Sequence, residues 1–238
     1  MKIFVSYSRR DACGKGQFIY PLSVAVDSSN KVYVGDRENH RIQKFFSNGT
    51  YITAWSFRET NGTLMDPLGI AVNSSGIVYV ADYTNDRVII FSGNGTFLKL
   101  LGSKGIGDGQ FSQPQGIAID SAGNVYVADS GNSRIQKFDS NGEFLMKYGT
   151  KGNADGQFDG PQAVALDSDD NVYVADSGNS HIQKFDSNGN FITMWGSPGS
   201  SKGQFNLPQG VAIDSRGRVY VADRNNDRVQ VFIPTIKS

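Results

Sequence analysis

Cysteine is nearly missing from this chain: Cys13 stands alone among 238 residues, so no internal disulfide staples the fold. Histidine is as scarce, and His40 and His181 are too few to join cysteines in a structural zinc cluster. Neither sign of charge prevails. The 23 Lys and Arg face 23 Asp and Glu, which removes the basic excess that nucleic-acid binders use to displace counterions. No apolar run approaches the roughly 20 residues that span a bilayer, so no membrane association is expected. The opening MKIFVSYSRR is broken by Ser6, Ser8, Arg9 and Arg10 before an export core forms, and the expected location is cytoplasmic or left undefined by the chain.

What the chain does have is glycine, 28 residues of it, together with 11% aromatics and many β-branched residues, the composition of a turn-rich globular protein. Its main feature is self-similarity. The segment QPQGIAIDSAGNVYVADSGNSRIQKFDSNGEFLMKYG returns one period later as GPQAVALDSDDNVYVADSGNSHIQKFDSNGNFITMWG. Five copies can be aligned on Pro21, Pro67, Pro114, Pro161 and Pro208, with spacings of 46, 47, 47 and 47. Asp36, Asp82, Asp129, Asp176 and Asp223 keep the same intervals.

Hydrophobicity alternates with period two inside each copy, and short β-rich runs are divided by Ser, Asn, Asp and Gly. In the third copy the expected strands a to d are 116–120, 124–129, 134–138 and 143–149, joined by hairpin turns. Four antiparallel strands per copy predict an all-β β-propeller of four-stranded blades. The last copy stops at RVQVFIPTIKS without a fourth strand. Ile3, Val5 and Tyr7 alternate as Phe191, Thr193 and Trp195 do, so residues 2–8 are expected to complete the C-terminal blade and close a ring of five. The expected organisation is a single domain over 1–238, with repeats at 14–56, 57–102, 103–149, 150–196 and 197–238 plus 2–8.

The YVADxxNxRIQKF core, the PxGIAID lead-in and the SNGxF turn resemble NHL repeats, and the resemblance covers essentially the whole chain. Six blades are the norm in that family, against five counted here. The resemblance implies a non-catalytic binding or scaffold module that recognises a protein or peptide through one face. It also brings two alternatives. Some NHL domains bind single-stranded RNA on that face, and an amidating lyase acting on peptidylglycine derivatives is NHL-like, with metal chemistry that depends on several histidines.

Features common to all copies are read as architecture. Asp36 with Arg41, Asp82 with Arg87, Asp129 with Arg134 and Asp223 with Arg228 flank each b–c turn, where the carboxylate can accept turn amides and the guanidinium can bridge to it or to the next blade. Asp176 has His181 at the arginine position. The DSDDN segment at 167–171 looks like part of a calcium loop but fits a hairpin turn, and no metal or other cofactor is expected. The glycine-rich linkers GSKGIGDGQ and GTKGNADGQ precede strands rather than a helix that could hold phosphate. Asn48, Asn61, Asn73 and Asn94 begin Asn-x-Ser/Thr motifs, read first as turn sequences.

Function is expected where the copies disagree. The b–c turns and d–a linkers share one face, and these segments of copies five, one and two depart from the Ser-Gly-Asn-Ser of copies three and four. They bring Arg9, Arg10, Arg37, His40, Arg58, Glu59, Tyr83, Asp86, Arg224 and Asp227 forward as candidate partner-binding residues. Mixed charge with Arg and Tyr suits a protein or peptide better than a phosphate backbone. No nucleophile and base pair follows from the spacing, so the chain is expected to be a non-enzymatic monomer.

Overall fold

The computed structural model describes residues 13–233. The expected outer strand at 2–8, Arg9 and Arg10 lie outside the described residues. The fold is all-β, a five-bladed propeller whose blades are antiparallel sheets, with no α-helix among the described residues.

Two compact units divide the chain, Met1–Pro114 and Gln115–Ser238. In the first, blade 1 is β1 (Pro21–Val26), β2 (Val32–Asp36), β3 (Arg41–Phe45) and β4 (Tyr51–Trp55). Blade 2 is β5 (Pro67–Val72), β6 (Val78–Asp82), β7 (Arg87–Phe91) and β8 (Phe97–Leu101). Two short strands, β9 (Ser103–Lys104) and β10 (Gln110–Phe111), then pair in parallel within the glycine-rich linker, a feature that hairpin signals could not announce.

In the second unit, blade 3 is β11 (Pro114–Ile119, its first residue at the boundary), β12 (Val125–Asp129), β13 (Arg134–Phe138) and β14 (Phe144–Tyr148). Blade 4 is β15 (Pro161–Leu166), β16 (Val172–Asp176), β17 (His181–Phe185) and β18 (Phe191–Trp195). Blade 5 has β19 (Pro208–Ile213), β20 (Val219–Asp223) and β21 (Arg228–Phe232), three strands among the described residues.

One register serves every blade. Strands b and c pair so that Asp36 faces Arg41, Asp82 faces Arg87, Asp129 faces Arg134, Asp176 faces His181 and Asp223 faces Arg228. The VYVAD strands β6, β12 and β16 are covered on both sides, which is why they read as nearly unbroken apolar runs, whereas the same sequence in β20 leaves Ala222 exposed. Tyr33, Ile42 and Trp55 of blade 1 pack onto Ile70, Val78, Val80 and Phe91 of blade 2. Tyr126, Ile135 and Tyr148 pack in the same way onto Val164, Val172, Val174 and Phe185, and Tyr173, Ile182 and Trp195 onto Val219, Val221 and Phe232. Each such side chain contributes about 1.5–3 kcal/mol of apolar burial, so the blade junctions are the main apolar contribution holding each unit together.

The turns explain the small polar residues. At the a–b turns a side-chain oxygen caps two amides, from an aspartate in blades 1, 3, 4 and 5 and from Asn73 in blade 2: Asp27 Oδ1 accepts from Ser29 and Lys31 at 2.9 and 2.8 Å, and Asp167 Oδ1 accepts from Asp169 and Asn171 at 3.0 and 2.9 Å. The carboxylate of the calcium-like segment is thus engaged in turn capping. The b–c turns are tighter than plain hairpins. In four blades they form a single 3-10 turn, and in all five a left-handed residue ends the turn: His40, Asp86, Ser133, Ser180 and Asp227 at φ of 50–55°. Within each antiparallel blade the b–c turn and the flanking linkers lie at one end of the strands, and the a–b and c–d turns at the other.

Candidate functional site

The aspartate that ends each b strand organises that end of its blade. In blade 1, Asp36 Oδ1 accepts the Ile19 amide from the preceding linker at 2.8 Å, and its oxygens receive Asn39 Nδ2, Arg41 Nε at 2.7 Å and Gln43 Nε2 at 3.0 Å. The carboxylate therefore holds a linker amide and the turn's Asn side chain rather than the turn amides expected from the sequence. Arg41 extends the tie through Cys13 O, Gly14 O and Gln17 O. Arg228 does the same in blade 5 with Asp223, Ser200 O, Ser201 O and Gln204 O. Arg134 donates to Asp129 at 2.7 Å, and in blade 4 His181 Nε2 stands 3.0 Å from Asp176. Arg41 and Arg228 thus tie their own linkers to this edge.

Blade 2 breaks the pattern, and the 46-residue spacing is the reason. The linker before Pro67 is one residue shorter, so the amide that reaches Asp82 belongs to Asp66, directly before the proline, whereas Ile19, Asp159 and Asn206 sit two residues before theirs. Arg87 finds Glu59 on Nη1 where Arg41 and Arg228 find linker carbonyls, and among the described residues its Nη2 has no hydrogen-bond partner. The hydrogen bond from Arg87 holds the Glu59 carboxyl below the usual range. Glu59, a candidate for partner binding, is thus paired with Arg87 from its place in the linker.

The residue after each of these aspartates decides what the edge presents. In blades 3 and 4 it is Ser130 and Ser177, both buried, with hydroxyls that donate to Pro161 O and Pro208 O of the next blade. In blades 1 and 2 it is Arg37 and Tyr83. Arg37 forms a two-pronged bond to Asp66, Nε to Oδ1 at 2.7 Å and Nη2 to Oδ2 at 3.1 Å, and its guanidinium lies 5.7 Å from the centre of the Tyr83 ring. Asp66 keeps this guanidinium pushed above its ordinary range. The Arg37 side chain is 28% exposed and that of Asp66 9%, so the cluster is braced from below and open above. Asp66 was missed by sequence reasoning, although the shortened spacing at Pro67 marked its linker as unlike the others.

The other candidates divide. His40 Nδ1 donates to Met65 O at 2.8 Å. Asp86 is buried, accepting the Gln113 amide at 2.7 Å with Lys104 Nζ 3.5 Å away. Arg58 is exposed at the linker tip, its Nε bonded to Gly62 O at 3.3 Å. In the second unit, Arg224 and Asp227 are exposed on the b–c turn of blade 5. First-unit chemistry therefore centres on Arg37, Tyr83, Asp66 and Arg58, while His40, Glu59 and Asp86 are engaged with Met65 O, Arg87 and the Gln113 amide. Among the described residues no group of three or more His, Cys, Asp or Glu is placed to hold a metal ion, and no helix is long and apolar enough to cross a membrane.

The NHL-repeat profile matches residues 18–45, 64–91, 111–138, 158–185 and 205–232. No curated protein matches the chain. Among solved structures, a virginiamycin B lyase from Staphylococcus aureus bound to quinupristin superposes with a TM-score of 0.65 at 16% identity, covering 90% of this chain and 70% of the lyase. A nidogen/laminin complex gives 0.65 at 18%, covering 90% and 80%. A protein from Lactobacillus plantarum gives 0.66 at 15%, covering 92% and 69%. At these identities the fold alone is shared.

Proposed function

The chain belongs to the NHL-repeat family, and from that premise we propose that it is a non-catalytic recognition module holding a protein or peptide against the b–c turn edge of its blades. The observation that carries this reading is the Arg37–Tyr83–Asp66 cluster. At the position where blades 3 and 4 bury a serine, blades 1 and 2 place a guanidinium stacked near an aromatic ring, oriented by a mostly buried carboxylate. Arg and Tyr with fixed rotamers lose little entropy on binding and are enriched at interface hot spots. Exposed Arg58 widens the patch in the first unit, and Arg224 and Asp227 give the second unit a charged turn of its own.

The fold accommodates both catalysis and binding, since the lyase acts chemically while nidogen is found in complex with laminin. Two features favour binding here. His40 is engaged with the Met65 carbonyl, and His181 with the Asp176 carboxylate. The acidic partners of Arg37 and Arg87 weaken the case for RNA, because they compete with phosphate for the same guanidinium groups.

The test is partner capture with the full chain as bait, comparing wild type with Arg58→Ala/Tyr83→Ala/Arg224→Ala. Recovery of specific partners is expected to fall at least about tenfold, the size of one lost hot spot. Equal recovery of every partner sinks the assigned edge. Tight binding of a random RNA pool that persists above about 50 mM salt would replace the protein-partner reading with the RNA one.

A further inference from the structure

We propose that this chain binds a second copy of itself head to tail, in place of the monomer expected from the sequence, with blade 5 of one copy seated on blade 1 of the other through the contacts that join blades within each unit.

The junction has one pattern wherever it occurs inside a unit. Tyr33 and Ile42 of blade 1 meet Ile70, Val80 and Phe91 of blade 2. Tyr173 and Ile182 of blade 4 meet Val211, Val221 and Phe232 of blade 5. Each blade therefore has a giving face, which carries the tyrosine of strand b and the second residue of strand c, and a receiving face on its other side.

Blade 1 exposes its receiving face. Val24 stands at the position of Ile70 and Val164, which are buried, yet it is 61% exposed, and Val26 on the same face is exposed with it. Blade 5 exposes its giving face. Val229 stands at the position of Ile42, Ile135 and Ile182, all fully buried, yet it is 63% exposed. Val231 lies two residues on and Ala222 directly across, and both are exposed as well. The two faces are the two halves of a blade junction, each available to another molecule.

Their composition is the reverse of a solvent cap. A stack of repeats that ends in water carries polar residues on its terminal faces. Here exposed Leu22 stands where blades 3, 4 and 5 have Gln115, Gln162 and Gln209. Val231 stands where blades 1, 3 and 4 have Lys44, Lys137 and Lys184. Lys44 and Lys137 donate to Gly93 O and Ser187 O, on the c–d turn of the following blade, so a lysine here serves a junction while keeping its charge near water. Blade 2 has an aliphatic residue at this position too, Ile90, and buries it.

Contiguous apolar side chains on a regular sheet face mark a binding surface. The occupant is set by the register. Tyr220 and Val229 repeat Tyr33 and Ile42 in order, and Val24, Val34 and Phe45 repeat Ile70, Val80 and Phe91. A second copy carries the matching half for each face. Such a contact is heterologous, because the patch on one copy differs from the patch that it meets on the other.

Sedimentation velocity of the full chain, from low to high micromolar concentration, is the test. Wild type is expected as a dimer or a longer head-to-tail series whose mean mass rises with concentration. Val24→Asp and Val229→Asp should each be monomeric, since an uncompensated charge in an apolar contact raises the dissociation constant at least about a hundredfold. Mixed in equal amounts, the two should form a dimer and nothing larger. One intact junction remains in that mixture, from the blade 5 face of the first variant to the blade 1 face of the second. Val24→Thr and Val229→Thr keep the side-chain shape and should raise the dissociation constant about tenfold, which reads the same faces if an aspartate variant does not fold. A wild type that stays monomeric throughout overturns the proposal. So does a mixture of cooperatively unfolding aspartate variants that stays monomeric, or either variant associating as tightly as wild type.

Discussion

Aspartate is the residue on which this structure turns most often, and it has two uses. In every blade but the second, where Asn73 serves, an aspartate caps the a–b turn, and in all five another gathers linker, turn and an arginine or His181 at the b–c edge. Asp214 shows the electrostatic consequence. Desolvation would raise its carboxyl, but the Arg218 amide, the Arg218 guanidinium and the Arg216 amide outweigh that and hold it at about 2. A carboxyl lowered on folding stabilises above its unfolded value, about 3.9, and loses that contribution as pH falls through its folded value. The stability gap between wild type and Asp214→Asn should therefore be widest at pH 5 and above and shrink between about pH 4 and 2. A gap that stays constant in urea melts across this range would contradict the assignment. Residue roles were only partly legible in the sequence. Asp36 and Arg41 were identifiable as a pair from their recurrence, whereas the ties from Glu59 to Arg87 and from Arg37 to Asp66 depend on a linker path that no periodicity encodes.

At the scale of the element, the strands were the most legible part and the linkers the least. Period-two runs located the third-copy strands to within a residue or two, although β11 begins at Pro114 and stops before Asp120, whose side chain is taken by the turn. The parallel β9–β10 pairing and the 3-10 character of the b–c turns arise from side-chain and backbone bonds that leave no hydrophobic rhythm. Gly196 shows how tightly a linker is fitted. It sits at φ +101°, and a Cβ there would meet the Phe205 ring at 2.5 Å and the His181 Cα at 3.2 Å. Gly203, at φ +79°, has nothing within 4 Å of the same point. Gly196→Ala should cost about 2–4 kcal/mol from backbone strain plus overpacking, and Gly203→Ala only about 1–2 from strain. Denaturant midpoints that rank the two in the opposite order would refute this account of the linker.

For the whole molecule, five repeats gave the family and the propeller fold because every copy reports the same pattern, so chance matches in one are corrected by the rest. Function is carried by the departures from that pattern, and each departure occurs only once. The sequence brought Arg37, Tyr83, Glu59 and Asp86 forward together, but it could not show that Arg37 pairs with Asp66, Glu59 with Arg87, or Asp86 with the Gln113 amide. The central claim is that recognition takes place at the b–c edge, and amide hydrogen exchange of the full chain with and without a captured partner tests it most directly. Slowed exchange is predicted across 58–63 and 83–85, with no change at the c–d tips 47–50 and 93–96. Protection confined to those tips, or to neither region, would contradict it.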